Sequence, residues 1–136
     1  PWDESVATVG DSLLTPTKIY VRACLPLLEK GLLTGLAHIT GGGLLENLPR
    51  SLPDGVSAEI TGHPPLPPVF RWMQSASNLD DTELLRTFNC GVGMVLIVPA
   101  TYVGDVKTLL KASGESDFCD LGVLAALPTR SAPRGR

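Results

Sequence analysis

The residues of this chain best suited to chemistry lie in one stretch, His38-Ile39-Thr40-Gly41-Gly42-Gly43-Leu44-Leu45-Glu46-Asn47-Leu48-Pro49-Arg50. Three successive glycines between a short apolar segment and a helical one permit positive φ angles, and they let backbone N–H groups approach an anion at the start of the helix. Phosphate is the natural guest of such a turn. Arg50 can add a charge-assisted contact, and Glu46 and Asn47 can bond a substrate's amine or hydroxyl groups. A bare triple glycine reads equally well as a flexible turn before a solvated helix. The company of His38, Glu46, Asn47 and Arg50 favours a site. Further along, Asn89, Gly91 and Gly93 can shape a cleft wall, although glycines ahead of a core strand also serve close packing.

The elements that must position these residues follow from hydrophobic period and punctuation. Thr15-Pro16-Thr17 suits a helix start and Gly31 its stop, with Ile19, Ala23, Leu27 and Leu28 on one face. Leu36 to Ile39 reads as a strand ahead of the glycine turn, Leu44 to Leu48 as a compact helix, and Val56 to Ile60 as a second strand. The linker His63-Pro64-Pro65-Leu66-Pro67-Pro68 forbids regular structure until Val69 to Met73 restarts a helix. In that helix Phe70 and Trp72 take core spacings, while His63 reads as solvated and the proline run as a rigid connector.

Asp80 with Glu83 forms a capping pattern ahead of Leu84, Leu85 and Phe88. Val92 to Val98 is a nearly unbroken apolar run, as expected of a central strand covered on both faces. Tyr102 to Ala112 is amphipathic, with Val103, Val106, Leu109 and Leu110 inward and Gly114 as its stop, and Phe118 to Leu124 is the last strand. Helices alternating with strands imply an α/β domain of three α/β/α layers with a mixed sheet of about four strands. The domain is expected over residues 1–127, with a disordered tail over 128–136 rich in Pro, Ser, Gly and Arg.

With 136 residues, 43% hydrophobic and 18% charged, the chain can fill one core, and a net charge of -3 gives no footprint for a nucleic acid polymer. Cys24, Cys90 and Cys119 lack the spacing of a disulfide framework or a zinc site, so no metal site is expected and the thiols read as buried in a reducing compartment. No apolar run reaches membrane-spanning length and no signal peptide opens the chain, which points to the cytosol. The start at Pro1 leads one to expect a piece of something longer.

Three blocks, Leu13-Leu14-Thr15-Pro16-Thr17-Lys18-Ile19-Tyr20, His38 to Gly43 with Glu46-Asn47 and Pro49-Arg50, and Arg86-Thr87-Phe88-Asn89-Cys90-Gly91-Val92-Gly93-Met94, occur in the order in which they stand in the phosphoribosylformylglycinamidine cyclo-ligases. The chain from Asp11 to Leu124 resembles the carboxy-terminal domain of that family. Selenophosphate synthetase, thiamine-monophosphate kinase and formylglycinamidine ribonucleotide synthetase share the fold and a glycine-rich turn. The Glu46, Asn47, Arg50 and Thr87-Phe88-Asn89 pattern is more similar to the cyclo-ligase.

The resemblance implies ATP- and magnesium-dependent conversion of formylglycinamidine ribonucleotide to aminoimidazole ribonucleotide in purine biosynthesis. The formyl oxygen is activated as a phosphate ester, and a substrate nitrogen then closes the ring. It further implies that ATP and magnesium bind mainly to a preceding amino-terminal domain, which also forms a homodimer, so that this chain is half of an active site and inactive alone. On that basis Thr40, Gly41, Gly42 and Gly43 hold a phosphate with Glu46, Asn47, Arg50 and Asn89 around them, and His38 moves a proton or donates a hydrogen bond; a structural histidine at a strand end is the alternative.

Three features depart from the family pattern: Lys18 where arginine is expected, a segment from Thr61 to Pro68 without the aromatic and acidic residues usual ahead of the Val69-Phe70-Arg71-Trp72 helix, and Asp120 inside the last strand. A free-standing phosphate-binding module of the same fold, or another ATP-using member of the superfamily, is the competing reading. An unfused domain would expose the surface that packs on its neighbour, so limited stability or self-association is expected.

Overall fold

The glycine turn is held between a pair of short strands and a pair of short helices, and the rest of the chain builds outward from that junction. The computed structural model describes residues 8–127. Its elements are α1 (Val9–Leu13), α2 (Val21–Glu29), β1 (Gly35–His38), α3 (Gly43–Asn47), β2 (Val56–Ile60), α4 (Pro68–Ser77), α5 (Asp81–Thr87), β3 (Met94–Ile97), α6 (Val103–Ala112) and β4 (Gly122–Ala126). A 3-10 turn at Leu48–Ser51 follows α3. The expected tail over 128–136 lies outside the described residues.

The class is α/β, as the alternation of helices and strands requires. The four strands pair as two antiparallel sheets of two strands each, β1 with β3 and β2 with β4, rather than as one mixed sheet. The edge of β1 shows why. Leu36 stands opposite Leu96 between the hydrogen-bonded pairs of the β1–β3 ladder, so its carbonyl points away from β3. That carbonyl accepts from the Ser51 hydroxyl at 2.9 Å. The 3-10 turn therefore occupies the edge where a third strand would add.

The apolar run around β3 is covered on both faces, each by a different cluster. Val95 and Ile97 join Ala37, Ile39, Leu44, Leu48 and Val92, while Leu96 and Val98 join Ala23, Leu27, Val106 and Leu110 from α2 and α6. Alternation of side chains along the strand sorts them into the two layers. Hence β3 reads as continuously apolar although it has a single hydrogen-bonded neighbour.

The first long helix begins at Val21 rather than beside Thr15, because the Thr15 hydroxyl is turned back on the Asp11 carbonyl of α1 and the Tyr20 carbonyl opens α2 by accepting from Ala23 and Cys24. Ile19 and Leu28 are exposed while Ala23 and Leu27 are buried. The last strand starts at Gly122, later than Phe118; Asp120 is outside it and bonds Lys107 Nζ of α6 at 2.7 Å, so the acid never enters a ladder. Trp72 is 47% exposed, away from the core. Cys24 and Cys90 are buried as expected, but Cys119 is exposed, in the stretch ahead of β4 that was expected to be strand.

Candidate functional site

Along β1 and its continuation, Ala37 and Ile39 point into the core and His38 and Thr40 point out, as strand alternation dictates. The chain then turns sharply through Gly42 (φ 98°) and Gly43 (φ 58°), conformations that side chains other than glycine's rarely adopt. Gly43 is also fixed by space: a Cβ there would lie 1.9 Å from the Leu85 carbonyl oxygen and 2.7 Å from that of Phe88. Its bareness is what lets α3 rest on α5.

Asn47, 7% exposed, closes the turn from behind. Its Oδ1 accepts from the Thr40 amide at 2.8 Å and from the Thr40 hydroxyl at 3.3 Å, and its Nδ2 donates to the Gly41 carbonyl at 3.1 Å. The Gly43 amide donates to the Thr40 carbonyl at 3.0 Å. Neither the Gly41 nor the Gly42 N–H makes a hydrogen bond among the described residues, and around the Cα of Gly41 there is open space.

A cleft of about 220 Å³ opens beside this turn, lined by Thr40, Gly41, Phe70, Thr87, Phe88 and Asn89. Phe70 of α4 and Phe88 after α5 form one wall, their ring centroids 5.7 Å apart. Asn89 is oriented by its own turn, its Oδ1 accepting from the Gly91 amide at 3.1 Å. The next residue, Cys90, is fully buried; its Sγ lies 3.6 Å from the Leu84 carbonyl oxygen, and burial raises the thiol's pKa above its ordinary value. A buried thiol held protonated packs rather than reacts.

The fold thus brings Thr40, Gly41 and Asn89 to one cleft from blocks nearly fifty residues apart in sequence. Gly42, Gly43 and Asn47 build the turn behind it. Glu46 and Arg50 are exposed, face each other at 3.8 Å one helical turn apart, and do not line the cleft. His38 is exposed at the end of β1, its ring edge-on to that of Tyr20 with centroids 6.1 Å apart. A larger cavity of about 410 Å³ between the two sheets is lined by Thr34, Ser51, Val56, Ile97 and Leu124 among others, and none of the sequence-predicted site residues reaches it.

Sequence reasoning missed Phe70, Thr87 and Phe88 as cleft residues. Thr87 and Phe88 stood beside Asn89 in the third block, a usable signal. Phe70 had none, since its helical spacing also fits a core position and only the path of the proline linker brings it to the turn.

Residues 1–130 match the family described as AIR synthase related protein, C-terminal domain. The chain belongs to this family. Within the AIR synthase related proteins, it is 50% identical over 112 residues to the phosphoribosylformylglycinamidine cyclo-ligase of Lactobacillus delbrueckii subsp. bulgaricus, covering 82% of this chain and 32% of that protein. It is 51% identical over 106 residues to the enzyme of the same name from Methylobacillus flagellatus, covering 77% and 31%. It is 49% identical over 129 residues to the bifunctional purine biosynthetic protein ADE5,7 of Saccharomyces cerevisiae, covering 94% and 16%. The chain therefore spans about a third of the length of the two bacterial relatives and a smaller part of the yeast one.

Proposed function

We propose that this chain is the substrate-side portion of an ATP-dependent cyclo-ligase that converts formylglycinamidine ribonucleotide to aminoimidazole ribonucleotide in purine biosynthesis. The observation that carries the reading is the joining of Thr40 and Gly41 with Asn89 in one cleft, in a chain about half identical to proteins that bear the cyclo-ligase name.

In this reading the unbonded amides of Gly41 and Gly42 and the Thr40 hydroxyl meet a phosphate, of the ribonucleotide or of the transferring group. They are preorganised because Asn47 has already oriented the turn, so little rearrangement accompanies the charge that develops during reaction. Asn89 has its amide nitrogen available for a substrate oxygen, and Phe70 and Phe88 exclude water from that side. His38, just outside the cleft, moves a proton as the ring closes. Glu46 and Arg50 act at the rim, where their mutual pairing can open to a ligand.

Among the described residues no three His, Cys, Asp or Glu side chains cluster as a cation would need. The likeness to the cyclo-ligases is what assigns magnesium and the body of ATP mainly to the amino-terminal portion of the enzyme, leaving this chain's residues to bind and orient the substrate. Leu14, 82% exposed, and Ile19, 80% exposed, support a surface made to be covered by that portion.

The test is ATP-dependent cyclisation of formylglycinamidine ribonucleotide, assayed with this chain alone and with the amino-terminal portion of a cyclo-ligase fused ahead of it. Activity only in the fusion is expected. A fusion that folds and binds ATP yet makes no aminoimidazole product would favour a binding module of the same fold.

A further inference from the structure

Tyr20 occupies a place that the sequence does not advertise. Its phenol end lies against Gly93 so closely that a Cβ on that glycine would sit 1.9 Å from the hydroxyl oxygen and 2.9 Å from Cζ. The Gly93 carbonyl in turn accepts from the amide of Ile39, the residue after His38, at 2.9 Å. The groove made by the missing side chain therefore seats the Tyr20 ring at the end of β1, edge-on to the His38 imidazole.

The backbone on either side of Tyr20 is fastened as well. Lys18 is paired with Glu115 beyond α6, and the Tyr20 carbonyl accepts from Ala23 at 3.1 Å and Cys24 at 3.0 Å in the first turn of α2. His38 itself has no hydrogen bond from either ring nitrogen among the described residues, so both nitrogens are open and the aromatic contact is what orients the ring. An edge-to-face contact of this kind favours one rotamer of an exposed side chain over the others.

We infer that Tyr20, seated by Gly93, is a positioning residue that holds the His38 imidazole in the orientation used in ring closure. The inference rests on the role given to His38 above. It also accounts for the first and third sequence blocks beyond packing, because Tyr20 closes one and Gly93 lies in the other.

Two measurements test it and separate it from the reading beneath it. The chain has two histidines, so His63→Asn leaves a single imidazole to follow by NMR. Tyr20→Leu, or Tyr20→Met if the leucine variant does not fold, is expected to move the His38 ring resonances toward those of a free imidazole, whereas Tyr20→Phe keeps them. Unmoved resonances in both ring-deleting variants would overturn the inference.

In the fused enzyme, the same ring-deleting variants should lower kcat by roughly 10- to 100-fold, with KM within about twofold, as misplacement of a catalytic group does. Tyr20→Phe should restore the rate, and ring deletion should add no further loss in a His38→Ala background. If His38→Ala is inactive while the ring-deleting variants turn over normally, positioning by Tyr20 is wrong and the His38 role stands. If His38→Ala turns over normally, the His38 role is wrong, and the inference about ring closure falls with it.

Discussion

Asn47 Oδ1 accepts hydrogen bonds from both the amide and the hydroxyl of Thr40, seven residues earlier, so one buried amide fixes the residue that opens the glycine turn. Asn47→Ala would leave the Thr40 N–H and the Gly41 carbonyl without these partners inside a tight loop. Leaving such groups unmet costs about 1–3 kcal/mol each at most, so a loss of ~2 kcal/mol is expected by urea unfolding. A variant as stable as the native chain would mean that the turn keeps its shape without Asn47.

Neighbouring glycines of the turn are expected to respond very differently to the same substitution. Gly43→Ala must place a methyl against the Leu85 and Phe88 carbonyls in a left-handed conformation, and should lose at least ~3 kcal/mol or fail to fold. Gly41→Ala meets open space, and its stability should stay within ~1 kcal/mol of the parent while the phosphate binding proposed for this turn weakens. Parallel denaturation and phosphate titration of the two variants distinguish a residue needed for the fold from one needed for the site.

That division was only partly legible in the sequence. The triple glycine announced a turn and the order of blocks announced the family, because both are carried by local residue types. The bonds of Asn47 to Thr40 and Gly41 were not legible, since an amide's partners are set by which way the helix faces, and here it faces inward. Glu46 and Arg50 looked convergent but lie one helical turn apart on a solvated face, where they meet each other. The strands were largely found from their apolar runs, whereas the split into two sheets depended on Ser51 reaching the Leu36 carbonyl, a contact across fifteen residues with no local signal.

The three thiols should separate cleanly by reactivity. Cys119 is exposed, while Cys24 and Cys90 are buried and burial raises the pKa of both, with the Glu115 carboxylate adding a smaller push at Cys24. A thiolate-directed reagent at neutral pH should label one cysteine rapidly and the other two only as the chain unfolds. Rapid labelling of Cys90 would contradict its role in packing beneath Asn89.

The Lys18–Glu115 pair predicts a pH dependence with a definite sign. The hydrogen bond to Glu115 raises the Lys18 pKa; slight burial opposes it and the carboxylate charge assists it. A cation whose folded pKa exceeds its unfolded value of 10.5 stabilises the fold fully below that pH, and the contribution is lost as pH rises through the folded value. Because the Lys18 side chain is 50% exposed, solvent screening holds the contribution under ~1 kcal/mol. Lys18→Met should therefore be slightly less stable than the parent at neutral pH and equal to it at pH values above the lysine range, with the neutral-pH difference shrinking in high salt. A difference that persisted at alkaline pH would assign the stabilisation to packing of the Lys18 stem, and Tyr20 would then owe its fixed position to that packing rather than to charge.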